Sequence, residues 1–194
     1  MRHHSGLALI LVFGCAAIIA PSECSADSLS IGTRNEIIPE NGTVIYTVAK
    51  TGVNEFTFLP PPGWKLAVDA KANTLTWTSP DYRSMVRLKI SDTDGDALPR
   101  INADELRQTV TQESESSKII AETPCYTSGS SGIAFDSERT VDGKFQVNSR
   151  IAFIPVTGGI IQITLTTPKE EFKSRRMDLS RFLNSFRVVK LKAV

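Results

Sequence analysis

The clearest order in the chain lies between Ser131 and Val189, where a hydrophobic period of two gives way to one near 3.6. Phe145, Val147, Ile151 and Phe153 share one parity, with Ser149 the polar member. Gln146, Asn148 and Arg150 take the other parity, so the segment predicts a half-buried antiparallel strand. Ile133 to Val141 predicts its partner. Asp142-Gly143 predicts the turn between them, because both residues tolerate the positive φ of a tight hairpin. Gly158-Gly159 predicts the next turn. Ile161, Ile163 and Leu165 then alternate with Gln162, Thr164 and Thr166 as a third strand. Thr167-Pro168-Lys169-Glu170 reads as a capping box with proline at the first helical position. Phe172, Leu179, Phe182, Leu183 and Phe186 form one helical stripe, and Lys169, Lys173, Arg175 and Arg181 cover the other faces. A strand meander with a C-terminal helix packed across it is a two-layer unit.

Upstream, Thr43 to Ala49 predicts a short strand. Phe56-Thr57-Phe58-Leu59 predicts another, stopped by Pro60-Pro61-Pro62, which cannot donate to a ladder. Gly63 frees the backbone and Trp64 folds over the edge of the core. Leu66 and Val68, then Leu75 and Trp77, form a hairpin around a turn at residues 70–73, and Pro80 ends it. Met85 to Ser91 alternates as a further strand. Asn102 caps a helix with Glu105 as its box partner and Leu106 and Val110 on the buried side. Lys118 to Glu122 reads as a strand, and Pro124 to Gly132 as a loop rich in Ser and Gly.

Composition narrows the setting. Met1 to Ala26 has the pattern of a secretory signal: Arg2, His3 and His4, an apolar core from Leu7 to Ala20, and small residues at Cys24 and Ala26. A second reading is a lipoprotein signal, Val12-Phe13-Gly14-Cys15, with Cys15 lipidated and the protein anchored to a membrane. Cleavage after Ala26 removes one Arg and one Glu, so the mature chain keeps the formal net charge of +1. A near-neutral chain lacks the footprint of a nucleic-acid binder. Both histidines lie in the signal, so Ser-His-Asp, Cys-His and His-zinc chemistries are closed to the mature chain. Cys125 alone survives cleavage and has no internal disulfide partner. Residues 27–53 read as a leader with one short strand, and residues 54–190 as a single α+β domain.

The order of strand, proline turn with Trp, hairpin, strand, helix, meander and helix resembles the PsbP family, the extrinsic oxygen-evolving-complex subunit and its bacterial relatives. The matching residues are Phe56-Thr57-Phe58 with Pro60 and Gly63-Trp64, the capped helix from Asn102, Asp142-Gly143, and Phe172 to Phe186 closing with Ser185-Phe186-Arg187-Val188. The resemblance implies an antiparallel sheet covered by helices, an α/β/α sandwich, in a non-enzymatic protein that binds or assembles other components.

Two groups of residues invite a site. Asp92, Asp94 and Asp96 match the first ligand positions of a calcium loop, but Ala97 replaces the glycine and the next Glu falls too late. The alternative is an acidic strand-to-helix turn. Trp64, Trp77 and Tyr82 lie close in sequence and would line a ligand groove, or else cover the core. The first functional expectation is an exported monomer that binds a protein partner through an exposed face. A carrier of a small apolar ligand, held between sheet and helix, is the alternative. A hydrolase built on two carboxylates is the third, and it needs one acid with a raised pKa. The Lys and Arg residues between Lys173 and Lys192 read as a solvated helix face and tail, with an anionic lipid or an acidic partner as the alternative.

Overall fold

The computed structural model describes residues 29–39, 42–51, 54–92, 97–113 and 117–190. Two antiparallel sheets carry the fold. The first is built from β1 (Ser30–Ile38), β2 (Gly42–Thr51), β3 (Asn54–Phe58) and β11 (Arg187–Lys190), side by side in that order. The second contains β4 (Lys65–Asp69), β5 (Thr74–Thr78), β6 (Met85–Asp92), β7 (Lys118–Tyr126), β8 (Ser131–Val141), β9 (Phe145–Val156) and β10 (Gly159–Pro168). Its spatial order is β4-β5-β6-β10-β9-β8-β7. Helix α1 (Ala103–Glu113) links β6 to β7, and α2 (Phe172–Ser185) links β10 to β11.

Strand parity sorts the core into two layers. Leu75, Trp77, Val86, Leu88, Ile161, Ile163 and Leu165 face α2, where they meet Leu179, Phe182, Leu183 and Phe186. Ile151, Phe153 and Phe135 point to the opposite face and meet Val110 and Leu106 of α1. The domain is therefore an α+β sandwich, with helices on both faces of its large antiparallel sheet, as expected. Phe58 of β3 closes the main core. Its ring lies 5.4 Å from Trp77, 5.2 Å from Phe182 and 5.5 Å from Phe186. This contact ties the small sheet, the large sheet and α2 into one body. Truncating such a ring costs about 3–5 kcal/mol.

Several sequence expectations need correction. The described part of residues 27–53 is not a leader: after Leu29, itself buried, the chain enters β1, which pairs with β2 along its whole length from Ser30 opposite Lys50 to Ile38 opposite Gly42. The domain thus begins at or before Leu29. The polar residues of β1 misled because they sit on an edge strand with one exposed face. β9 is not half-buried, because α1 and α2 cover both of its sides; Ile151 through Val156 are all buried, while Phe145 is exposed. The capping box does not form. Thr167 remains in β10, where its hydroxyl hydrogen-bonds Ser84 at 2.8 Å, and a single 3-10 turn, Lys169–Glu171, precedes α2. Pro124 stands inside β7 and not in a loop, which the edge position of β7 allows. β11 was missed because four residues give too short a pattern.

The expected turn at Asp142-Gly143 is present, with φ of 51° and 66°. Asn102 does cap α1: its Oδ1 accepts from the Asp104 N–H at 3.0 Å, and its amide donates to Glu105. Among the described residues no helix is long and apolar enough to cross a membrane. The signal segment and Cys15 lie outside the described residues.

Candidate functional site

The prolines that stop β3 shape the most distinctive surface. β2 pairs with β3 only from Thr47 opposite Phe58 to Thr51 opposite Asn54. Beyond Thr47, the chain that would continue β3 is Leu59-Pro60-Pro61-Pro62, which turns away instead. The far half of the β1–β2 hairpin therefore projects past the sheet as a two-stranded arm. On this arm Ile37 is opposite Thr43, and Asn35 is opposite Ile45. Alternation puts both isoleucines on the face that carries Phe58 further in. Yet Ile37 is 84% exposed and Ile45 60% exposed. Two exposed apolar side chains thus stand on one face of the projecting strand pair.

At the base of the arm the proline turn and α2 enclose an apolar groove of about 200 Å3. Leu59, Pro60, Pro61, Pro62 and Phe182 line it, with Asp178 and Arg181 at its polar rim. The groove is held in shape. Ser185 Oγ donates to the Phe182 carbonyl at 2.7 Å and accepts from the Leu59 N–H at 2.9 Å. Gly63, at a φ of +75°, lets the Trp64 N–H donate back to the Pro61 carbonyl. The outer side of β1 has no neighbouring strand among the described residues. An open edge of this kind can accept a strand from another chain.

The residues singled out from sequence lie elsewhere. Trp77 is fully buried between Phe58 and Phe182. Trp64 packs against the same core, with the Arg175 guanidinium 5.6 Å from its ring. Tyr82 is exposed at a φ of 60° and takes a hydrogen bond and a cation–π contact from Lys65. The three aromatics therefore do not share a groove. Asp94 and Asp96 lie outside the described residues, and Asp92 is described only as the end of β6, opposite Gly159. Ile37 and Ile45 were missed, although Asn41-Gly42 between two apolar pairs is a hairpin signal that could have found the arm.

Rings fill the space between sheet and α2 where a carried ligand would sit. Several of the described acids are engaged in ion pairs. Asp136 is buried, 2.8 Å from Arg150 and 3.2 Å from Arg176. Burial alone would raise the Glu55 carboxyl, but hydrogen bonds from Arg34 and Lys50 prevail and hold it below its ordinary 4.5. The hydroxyl of Ser79 and the Arg83 N–H hold Asp81 low as well. Neither acid has the raised pKa that a general acid needs.

No known family model matches the chain, and no curated protein matches it in sequence. Solved structures do match in shape. LpqN of Mycobacterium tuberculosis, described as involved in cell envelope biogenesis, is 13% identical with a TM-score of 0.52, over 83% of this chain and 91% of that one. Cyanobacterial PsbP from Synechocystis is 12% identical with a TM-score of 0.47, over 89% and 99%. A Bacteroides thetaiotaomicron protein is 14% identical with a TM-score of 0.47 over 70% of this chain, which spans only 45% of that structure. At these identities the likeness to LpqN shows a shared fold and nothing finer.

Proposed function

We propose that the chain is an exported, non-enzymatic binding module that acts through a protein partner, held on the arm and the proline-lined groove. The observation that carries this reading is the contrast between interior and surface. The sheet–helix interior is packed with Phe58, Trp77, Phe182 and Phe186, whereas Ile37 and Ile45 stand exposed on the arm and the proline turn and α2 enclose a separate apolar groove. A partner that covers them removes apolar area from water, at roughly 25 cal/mol per Å2. Export rests on the signal pattern of residues 1–26. The order of strand, proline turn and closing helix over residues 54–190 supports a PsbP-like module.

The test is a photo-cross-linking amino acid at position 45 in the producing host, compared with the same group at the exposed Asp69 on β4. One discrete adduct from position 45, absent from position 69 and lost on Ile37→Glu, is the expected result. Equal labelling from both positions, or none from position 45, removes the proposal.

A further inference from the structure

Four strands border the two sheets among the described residues: β1 and β11 the small one, β4 and β7 the large one. Proteins blunt such edges with proline, bulges or short strands, because unpaired N–H and C=O groups recruit other chains. β7 carries Pro124 and a break in register between Ile119 and Ala121. β4 has five residues and β11 four. β1 has nine, with no proline and an unbroken register against β2. Its open edge is the one that none of these devices protects.

The side chains of β1 are also matched to themselves. Backbone groups along a strand point alternately to either side. Two copies of β1 paired antiparallel about a two-fold axis must therefore centre on a residue that faces its own copy. Centred on Asn35, the pairing sets Arg34 opposite Glu36 of the second copy, and Glu36 opposite its Arg34. Centred one residue earlier, Arg34 faces Arg34; one later, Glu36 faces Glu36. Like charges directly opposite destabilise a strand pair. Within one chain Arg34 lies 2.6 Å from Glu55, and Arg187 lies 3.5 Å from Glu36. The Asn35-centred pairing joins these into two runs of alternating charge, Glu55–Arg34–Glu36–Arg187, each crossing from one copy to the other. The same register covers a hollow. Gly32 presents no side chain, and a space of about 290 Å3 opens around it, bordered by Ser30, Arg34, Val48 and Lys50. Ile38 of the second copy falls directly opposite Gly32.

We propose that the β1 edge binds a second copy of this chain, in a two-fold antiparallel dimer rather than the monomer expected from the sequence. One sheet then runs through the small sheets of both copies. A two-fold axis normal to that sheet keeps their inner faces on the same side. Ile45 and Asn35 then form one row with their counterparts, and Ile37 stands opposite Thr33 of the second copy. The exposed isoleucines of two arms thereby share one surface. The pairing uses the edge of β1, whereas the proposed protein partner meets the apolar face and the groove, and neither requires the other.

Sedimentation equilibrium of the protein purified from its producing host, with no other protein present, should show a monomer–dimer equilibrium that shifts with concentration. Arg34→Glu sets negative positions against negative ones across the axis, and Glu36→Arg sets positive against positive. Each variant alone should associate roughly ten-fold more weakly than the parent. An equimolar mixture of the two should recover parent-like association, because each supplies the charges the other lacks. Positions 33, 35 and 37 are all exposed, so cysteines there report the register. Asn35→Cys, on the axis, should oxidise to a linked dimer faster than Thr33→Cys or Ile37→Cys, while the last two, mixed, should link to each other. The parent, whose Cys125 is buried, is the blank. A parent that stays monomeric up to about 1 mM overturns the proposal. So do a dimer that neither charge reversal weakens, linking that is equal at all three positions, and a mixture of folded variants that fails to recover.

Discussion

Gly132 and Phe153 approach so closely that a β-carbon at position 132 would stand 2.0 Å from the Phe153 carbonyl oxygen. The same carbon would lie 3.2 Å from Cys125 Sγ. The carbonyl belongs to a central strand packed on both faces, so it cannot retreat without moving β9. Gly132→Ala should therefore cost about 3 kcal/mol or more, in the range that overpacking reaches in cores. Gly32→Ala on β1 is the control, because its β-carbon would meet nothing within 4 Å. That change should stay within about 0.5 kcal/mol. Urea midpoints of the two variants decide the matter, and equal midpoints would show that the strands can spread.

The ion pairs at Asp136 are unequal. Arg150 is 12% exposed and also donates to Thr123 at 2.8 Å, while Arg176 on α2 is half exposed. Removing the acid strands a buried guanidinium, so Asp136→Ala should destabilise by about 3–5 kcal/mol. Arg176→Ala should cost no more than about 1 kcal/mol, because solvent screens that contact. Denaturation of both variants checks the order, and an Arg176 loss equal to that of Asp136 would contradict it.

The meander and the stripe of α2 were legible because each carries a long, clean period. The arm was not. Its β1 residues, Thr33, Arg34, Asn35 and Glu36, look like a solvated leader, and only pairing with β2 makes them a strand. The failed capping box has a local cause: Ser84 engages the Thr167 hydroxyl and keeps it in β10. Trp77 reads as a ligand-binding aromatic until its neighbours are known, and those neighbours, Phe58 and Phe182, are distant in sequence.

Glu55 gives the fold a dependence on pH. Its carboxyl is held below 4.5 by Arg34 and Lys50, which overcome the opposing effect of burial. A depressed folded-state pKa means that the stabilisation is fully present above the unfolded value near 4.5 and is lost as pH falls through the folded value. Glu55→Gln should accordingly be less stable than the parent at neutral pH. The gap should close as pH drops below the folded pKa. Urea titrations across that range read it directly. A gap that stays constant with pH would mean that the ion pairs contribute nothing beyond packing.

Cys125 supplies a probe of how the sheet opens. Its thiol belongs to the main core, and burial pushes its pKa above 9.0 although Arg150 pulls the other way. A buried, protonated thiol is a poor nucleophile, so a thiol reagent should label the native protein far more slowly than a model peptide. Reaction then has to await an opening. β7 is an edge strand, but Cys125 sits opposite Gly132, at the tight contact with β9. Exposing the sulfur should therefore need global unfolding, and the labelling rate should rise with urea as steeply as the equilibrium transition. A much shallower dependence would show that β7 peels away while the rest of the sheet stays folded.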